Sequence, residues 1–395
     1  MIKPVLMSKP KFLQQSHRLD AIVPSGIRKM FARAQGLEGV ISLGIGAPDI
    51  PPPQGLLDLM AKLAGQKTSS YVLNSGIPQL RDKLVEQYRE LYGLEFEREG
   101  VVVTAGGTQL MFTAIMSMTD PGDEIIIPDP GFVYYPTIPQ IMGAKSIHIP
   151  LDDQFQMDPE LIKEKITEKT RMIILNSPSN PTGGILKEEN LKAIADLAID
   201  HDLSILSDEV YEFMVFHGKK HIPMARFAPE NTVTLNSFSK TYCIPGWRLG
   251  YGIGNKELME PIAKLHPFIM ANSPSLPQWA LADFIGTKED HEFRKFVKET
   301  MEKRAVVAIN EFGKIDGLEV PPVDGSFYAF PKVLNIEGEN PGEVWSEKVF
   351  NEAKVVTVPG SEFGYSRKDH FRISFGSANE EKIKEAAQRI RELEF

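Results

Sequence analysis

Short, largely apolar runs recur along the first two thirds of the chain. They fall at Val101-Val102-Val103, Ile125-Ile126-Ile127, Met172-Ile173-Ile174-Leu175, Leu203-Ser204-Ile205-Leu206 and Thr232-Val233-Thr234-Leu235. Runs of this length with no polar face suit strands covered on both sides. Stretches with helical periodicity lie between several of them, such as Gln109 to Met118 and Glu188 to His201. Strands alternating with helices predict an α/β fold around a mainly parallel sheet. After about residue 285 the texture changes. A long charged helical stretch, His291 to Phe312, precedes two alternating segments, Ser326-Phe327-Tyr328-Ala329-Phe330 and Phe371-Arg372-Ile373-Ser374-Phe375. From Glu380 to the end, Ile383, Ala386, Ala387, Ile390 and Leu393 share one helical face. A smaller α+β domain following a large α/β domain accounts for both textures.

The chain has 395 residues, 42% hydrophobic and 25% charged, which is the composition of an ordinary globular protein and excludes disordered or fibrous classes. At about 100–200 residues per domain this length predicts two domains, or three. The formal net charge is −9 and no basic cluster stands out, so no nucleic-acid partner is expected. One cysteine, Cys243, excludes an intramolecular disulfide and is read as packing. The scattered histidines form no metal-ligand motif, so no metal is expected. The N-terminus carries prolines and lysines where a signal peptide needs an unbroken apolar core. No stretch approaches about 18 continuous apolar residues, so no membrane span is expected and the location is read as cytoplasmic.

In open parallel sheets, ligands sit beyond the carboxyl ends of the strands, and the unusual residues collect there. Gly106-Gly107-Thr108 follows one strand and opens a helix, where backbone N–H groups suit an anion, although alone it is an ordinary Gly-rich turn. Asn176 to Gly184 packs two prolines and two glycines into nine residues, a rigid loop whose Asn180 is held extended by the following proline. Asp208 ends the next strand, as an N-cap or as a buried carboxylate, with Tyr211 three residues on. Ser237-Phe238-Ser239-Lys240 leaves a further strand, and Arg248 follows eight residues later. A lysine enclosed there loses proton affinity and becomes a nucleophilic amine. Together these groups offer an anion cradle, an amide, a carboxylate, a phenol, an amine and a guanidinium, the set that a phosphorylated aldehyde with a basic ring nitrogen would use.

Over essentially the whole chain the sequence resembles the class I/II aminotransferases of pyridoxal-phosphate fold type I. The likeness is carried by Ser42-Leu43-Gly44-Ile45-Gly46-Ala47-Pro48-Asp49, by Tyr71 through Leu80-Arg81, and by Gly106-Gly107-Thr108. It continues through Asn180-Pro181-Thr182-Gly183, Asp208-Glu209-Val210-Tyr211, Ser237-Phe238-Ser239-Lys240, Gly246-Trp247-Arg248-Leu249-Gly250 and Phe371-Arg372-Ile373-Ser374. The resemblance implies a large domain with a mainly parallel, seven-stranded-type sheet over residues 49–285. It implies a small α+β domain over 286–395, and residues 1–48 as an N-terminal arm and part of the small domain.

It further implies pyridoxal 5'-phosphate as cofactor, with Lys240 capturing its aldehyde and Asp208 facing its ring nitrogen. Tyr211 and Asn180 would meet the phenolic oxygen, and Phe132 would stack on the ring. Gly106, Gly107, Thr108, Ser237, Ser239 and Arg248 would hold the phosphate. Arg372, Gly46 and Asn180 would meet the substrate carboxylate. Tyr71 resembles a tyrosine that reaches the phosphate of the neighbouring subunit, which implies a homodimer. The implied reaction is ping-pong transfer of an amino group from an L-amino acid, aspartate, aromatic or similar, to a 2-oxo acid such as 2-oxoglutarate. A carbon–sulfur lyase on the same fold is the alternative. A nicotinamide dehydrogenase is disfavoured because no strand is followed by a Gly-x-Gly-x-x-Gly helix start.

No second cation for a substrate side-chain carboxylate can be assigned. His266 to Pro277 lies in the corresponding region and contains no Arg or Lys. Its Phe268, Ile269 and Met270 are read as core or pocket. Arg18, Arg28, Lys29 and Arg33 are read as a solvated helix face, with contact to a substrate side chain as the alternative.

Overall fold

The computed structural model describes residues 16–20, 22, 33, 36–66 and 70–395. In chain order its strands are β1 (Ile41–Ser42), β2 (Val101–Thr104), β3 (Glu124–Asp129), β4 (Lys145–Pro150), β5 (Thr170–Asn176), β6 (Ser204–Asp208), β7 (Thr232–Ser237) and β8 (Gly250–Ile253). There follow β9 (Leu318–Glu319), β10 (Tyr328–Ala329), β11 (Lys332–Val333), β12 (Val355–Val356), β13 (Val358–Pro359) and β14 (Phe371–Ser374).

Seven strands form one sheet in the order β2-β8-β7-β6-β5-β3-β4. Its neighbours pair in parallel from β7 to β4, while β8 runs antiparallel to both β7 and β2. Both faces are buried, as the two-sided apolar runs require. Ile126, Ile173, Leu175 and Ile205 pack into the core on one face. Their immediate neighbours Ile125, Ile127, Met172, Ile174 and Leu206 pack into the other. Side chains that alternate along a strand therefore meet helices on either side.

Two strands escape the apolar-run criterion. Strand β4, Lys-Ser-Ile-His-Ile-Pro, is the sheet edge and is only partly buried. Strand β8 carries glycine at 250 and 252 because other backbones crowd it. A Cβ at Gly250 would lie 2.7 Å from the Gly107 nitrogen and 2.9 Å from the Asn236 oxygen, and one at Gly252 would strike Leu110 at 2.7 Å.

Two helices begin earlier than periodicity predicts. Gly107–Met118 starts directly after Gly106, whose φ of +90° suits glycine. Lys288–Phe312 starts where Thr287 caps the Asp290 N–H at 3.2 Å. Beyond the large sheet, β1 pairs with β12, β9 with β11, and β10, β14 and β13 form a three-stranded antiparallel sheet. One core joins these strands to the helices Lys288–Phe312 and Glu380–Arg391 through Met301, Phe312, Trp345, Phe371, Ile383 and Ile390. The C-terminal helix buries Ile383, Ala386, Ala387 and Ile390, with Leu393 against the same core.

Candidate active site

The parallel ladder sets the register of the strand ends. Asn176 pairs with Asp208 across β5 and β6, Asp208 with Leu235 across β6 and β7, and Gly250 with both Ser237 and Thr104. The residues that follow these ends line one cavity of about 330 Å³. Of the residues that the resemblance assigns to the cofactor and the substrate carboxylate, all border it except Gly106, which caps the adjoining helix, and Tyr71.

Lys240 sits in a short helical turn, Phe238–Thr241, whose N-terminus Ser237 caps through its hydroxyl. Phe238 anchors that turn by packing on Tyr242 and Tyr251. The Lys240 amine donates to the Gly46 carbonyl. Burial, reinforced by the Arg372 charge, pulls the amine down to about 8. Asp208 has the opposite displacement. Burial pushes its carboxyl up to about 6, although the Tyr135 hydroxyl donates to Oδ2 at 2.8 Å and the Val210 N–H points at Oδ1. Asp208 is thus a buried carboxylate held by Tyr135, and it caps no helix, because the next helical element after β6 begins only at Met224.

Arg372 on β14 is buried. It donates from Nη1 to Asn180 Oδ1 at 2.8 Å and from Nη2 to the Gly44 carbonyl at 2.7 Å. The loop from Asn176 aims the amide: Asn176 Oδ1 accepts the Asn180 N–H at 2.8 Å, and Asn176 Nδ2 donates to the Asp208 carbonyl at 2.9 Å. The turn closes with Ser179 and Gly183–Gly184 exchanging backbone bonds at 2.9 and 3.1 Å.

The other end of the cavity is an anion cradle. The helix Gly107–Met118 presents its N-terminus there, with Thr108 in its first turn. Ser237 Oγ and Ser239 Oγ lie 3.0 Å apart beside it. Arg248, in a left-handed backbone turn, donates to the Pro245 and Ala105 carbonyls at 2.9 and 3.2 Å, which brings its fork against Gly106. Phe132 borders the same cavity, packed on Tyr134 and Tyr135. An amine poised to be neutral, a buried acid and an anion cradle together fit a phosphorylated aldehyde bearing a basic ring nitrogen.

Several residues stand elsewhere. Tyr71 is 88% exposed. Phe268 is 86% exposed and Ile269 is also exposed, so neither packs in the core and neither lines this cavity. They end a helix that buries its opposite face through Met259, Ile262 and His266. Arg33 pairs with Glu347 at 2.6 Å and lies over Phe350, away from the cavity. Arg18 is exposed, and Arg28 and Lys29 lie outside the described residues.

Sequence reasoning missed Tyr135 and Tyr328, both lining the cavity. It also missed a buried network behind Asp208. Glu209 shares a 2.7 Å hydrogen bond with His221, and Glu212 accepts from Tyr92 and Asn236 at 2.7 Å each. Burial pulls the His221 imidazole down, but the Glu209 carboxylate outweighs it and holds the imidazole above its ordinary value. Glu209, Glu212 and His221 bring potential ligand atoms within 4.8 Å of one another, and those atoms already bond to protein partners. Asn236 continues the network to the Ser237 N–H at 2.7 Å, which braces the strand end under the cradle.

Comparison with known proteins agrees with this geometry. The family model for aminotransferase class I and II matches residues 38–390. An aspartate aminotransferase of Pyrococcus horikoshii is 39% identical over 95% of this chain and 96% of its own. An aromatic-amino-acid aminotransferase of Thermococcus litoralis is 33% identical over 96% and 97%. The Thermus thermophilus aspartate aminotransferase solved with maleate superposes with a TM-score of 0.89 at 31% identity, covering 96% of this chain and 99% of that one. This chain belongs to the class I and II aminotransferases.

Proposed function

We propose that the protein transfers the amino group of an L-amino acid to a 2-oxo acid, using pyridoxal 5'-phosphate held in the cavity described above. The observation that carries the proposal is the pairing of a depressed amine, Lys240, with a buried carboxylate, Asp208, in one cavity that also holds Arg372. The cofactor supplies an aldehyde that captures amines and a ring that accepts the electrons released at the substrate Cα. Asp208 would keep the ring nitrogen protonated. Tyr211 and Asn180 would donate to the phenolic oxygen, and Phe132 would cover the ring. Gly107, Thr108, Ser237, Ser239 and Arg248 would bind the phosphate, with Gly106 shaping the turn. Arg372 and the Gly46 backbone would take the substrate carboxylate. Lys240, once freed by the incoming amine, would move the Cα proton as base and then acid.

The exposed Tyr71 supports a homodimer in which this side chain serves the partner's site. Residues 49–285 form the large cofactor-binding body in this proposal and 286–395 the smaller one. The pairing of β1 with β12 ties the N-terminal segment to the latter.

Single-turnover spectroscopy with a panel of amino acids tests the function. A donor should convert the bound aldehyde to its amine form and release one oxo acid per site. Release of ammonia without an oxo-acid acceptor would instead identify a carbon–sulfur lyase.

Two substitutions sharpen the assignment. Arg372→Ala removes a charged, forked donor, a contact of about 1.5–3 kcal/mol. The expected result is a rise in KM of about 10- to 100-fold for every amino acid, whatever its side chain. Loss confined to one side-chain class would move Arg372 to a specificity role. Tyr135→Phe removes a donor to the ionised form of Asp208 and so raises the pKa of that carboxyl further. The acid limb of the kcat profile should shift to higher pH, with kcat lowered about 2- to 15-fold at neutrality. An unchanged profile would leave Tyr135 a packing residue.

A further inference from the structure

The Tyr328 hydroxyl has no role in the proposed function, yet Tyr328 touches three groups that do. Strand β10 pairs with β14 so that Tyr328 lies opposite Ser374, two residues from Arg372. The Arg372 guanidinium sits 4.5 Å over the Tyr328 ring. The Tyr328 hydroxyl lies 3.1 Å from that of Tyr211, the two rings meeting edge to face at 5.7 Å. That hydroxyl also presses on the segment whose carbonyl accepts from Lys240: a Cβ at Gly46 would stand 2.3 Å from it. Behind the ring, Gly183 leaves room for the Tyr328 carbonyl, which a Cβ there would meet at 2.3 Å. Tyr328 is fully buried and cannot turn away to water.

We propose that Tyr328 is a positioning residue: its ring seats Arg372, and its hydroxyl donates to Tyr211 and so sets how strongly Tyr211 donates to the bound cofactor. This inference rests on the function proposed above. Each phenol carries a single proton. If Tyr211 spends its own on the phenolic oxygen of the cofactor, the hydrogen bond between the two tyrosines must be donated by Tyr328. The cation over the Tyr328 ring favours that direction, because a positive charge makes a phenol the better donor. Burial raises both phenols, so both hydroxyls keep their protons and either can donate. A hydroxyl that accepts a hydrogen bond donates its own more strongly. The β10–β14 sheet thereby links the carboxylate-binding arginine to the phenolic end of the cofactor site through one side chain.

Tyr328→Phe keeps the ring under Arg372 and removes only the hydroxyl. A weaker donor leaves the phenolic oxygen of the cofactor more basic, so the proton it shares with the neighbouring lysine-derived nitrogen is held to higher pH. In the holoenzyme, the pH midpoint of the visible absorbance should therefore rise by a few tenths of a unit, because accepting one hydrogen bond strengthens the Tyr211 bond by only about 10–30%. The kcat should fall several-fold with KM nearly unchanged, whereas Tyr328→Leu, which also removes the ring, should raise KM for every amino acid. In a Tyr211→Phe background the Tyr328→Phe exchange should add no further shift, because its effect passes through Tyr211. A titrating wild type with an unshifted Tyr328→Phe midpoint overturns the inference while leaving the proposed function intact. So does an additive shift in the double variant. A wild type that takes up no coloured cofactor overturns both.

Discussion

Lys240→Ala is expected to bind the cofactor without the pH-dependent visible absorbance and to lose about 10⁴-fold or more in turnover. Proton transfer by a positioned side chain alone contributes about 10²–10⁴-fold, and covalent capture of the aldehyde is lost as well. The wild-type amine carries a second, independent signature. Only the neutral amine captures an aldehyde, and burial beside Arg372 brings this one to about 8. Adding cofactor to the stripped protein should therefore proceed at a rate that climbs with pH and levels off above about 8. An ordinary lysine would still be climbing near 10.5. Borohydride reduction followed by peptide mapping should place the label on the Ser237–Lys240 segment. A tag elsewhere would remove the assignment.

Asp208→Asn should give the second large effect, and it divides catalysis from stability. Breaking a buried charge pair costs about 3–5 kcal/mol, so turnover should fall about 10²–10⁴-fold while the cofactor still binds. Stability of the stripped protein should move the other way. The carboxyl of Asp208 is raised from 3.8 to about 6 in the folded state, so that state holds the proton more tightly than the unfolded chain does. The contribution of Asp208 to stability therefore falls as pH rises from about 4 to 6. Above pH 6 the folded protein carries a cost on the order of 3 kcal/mol from this group. Asparagine keeps the polar atoms beside Tyr135 and removes the charge. Thermal unfolding of the stripped Asp208→Asn protein should thus occur at higher temperature than wild type at pH 7, with the difference vanishing near pH 4. Near-normal turnover, or a stability difference independent of pH, would count against a buried ionising role. The site is in this sense a strained arrangement that a ring cation would relieve.

The layered sheet was legible along the chain because burial on both faces leaves uninterrupted apolar runs, as at Ile125–Ile127 and Met172–Leu175. Strands without that signature were not. The edge position of β4 relaxes its pattern, and β8 spends two positions on glycine to let neighbouring backbones approach. Helix starts set by a cap, as at Thr287, precede the first apolar repeat and so fall outside a reading based on periodicity.

The residue types at the strand ends were set locally, since turn chemistry and strand termination act over a few neighbours. Gly106-Gly107-Thr108, the Asn180 loop, Asp208 and Lys240 could therefore be placed from sequence and family likeness. What they meet could not. The bond from Tyr135 to Asp208 joins residues 73 positions apart, and that from Arg372 to Asn180 joins residues 192 apart. Nothing in the intervening chain records such distances. The opposed displacements of Lys240 and Asp208 likewise have no local cause: both residues must first be enclosed, and only the assembled sheet with Arg372 brought over it removes the water that would hold each near its ordinary value.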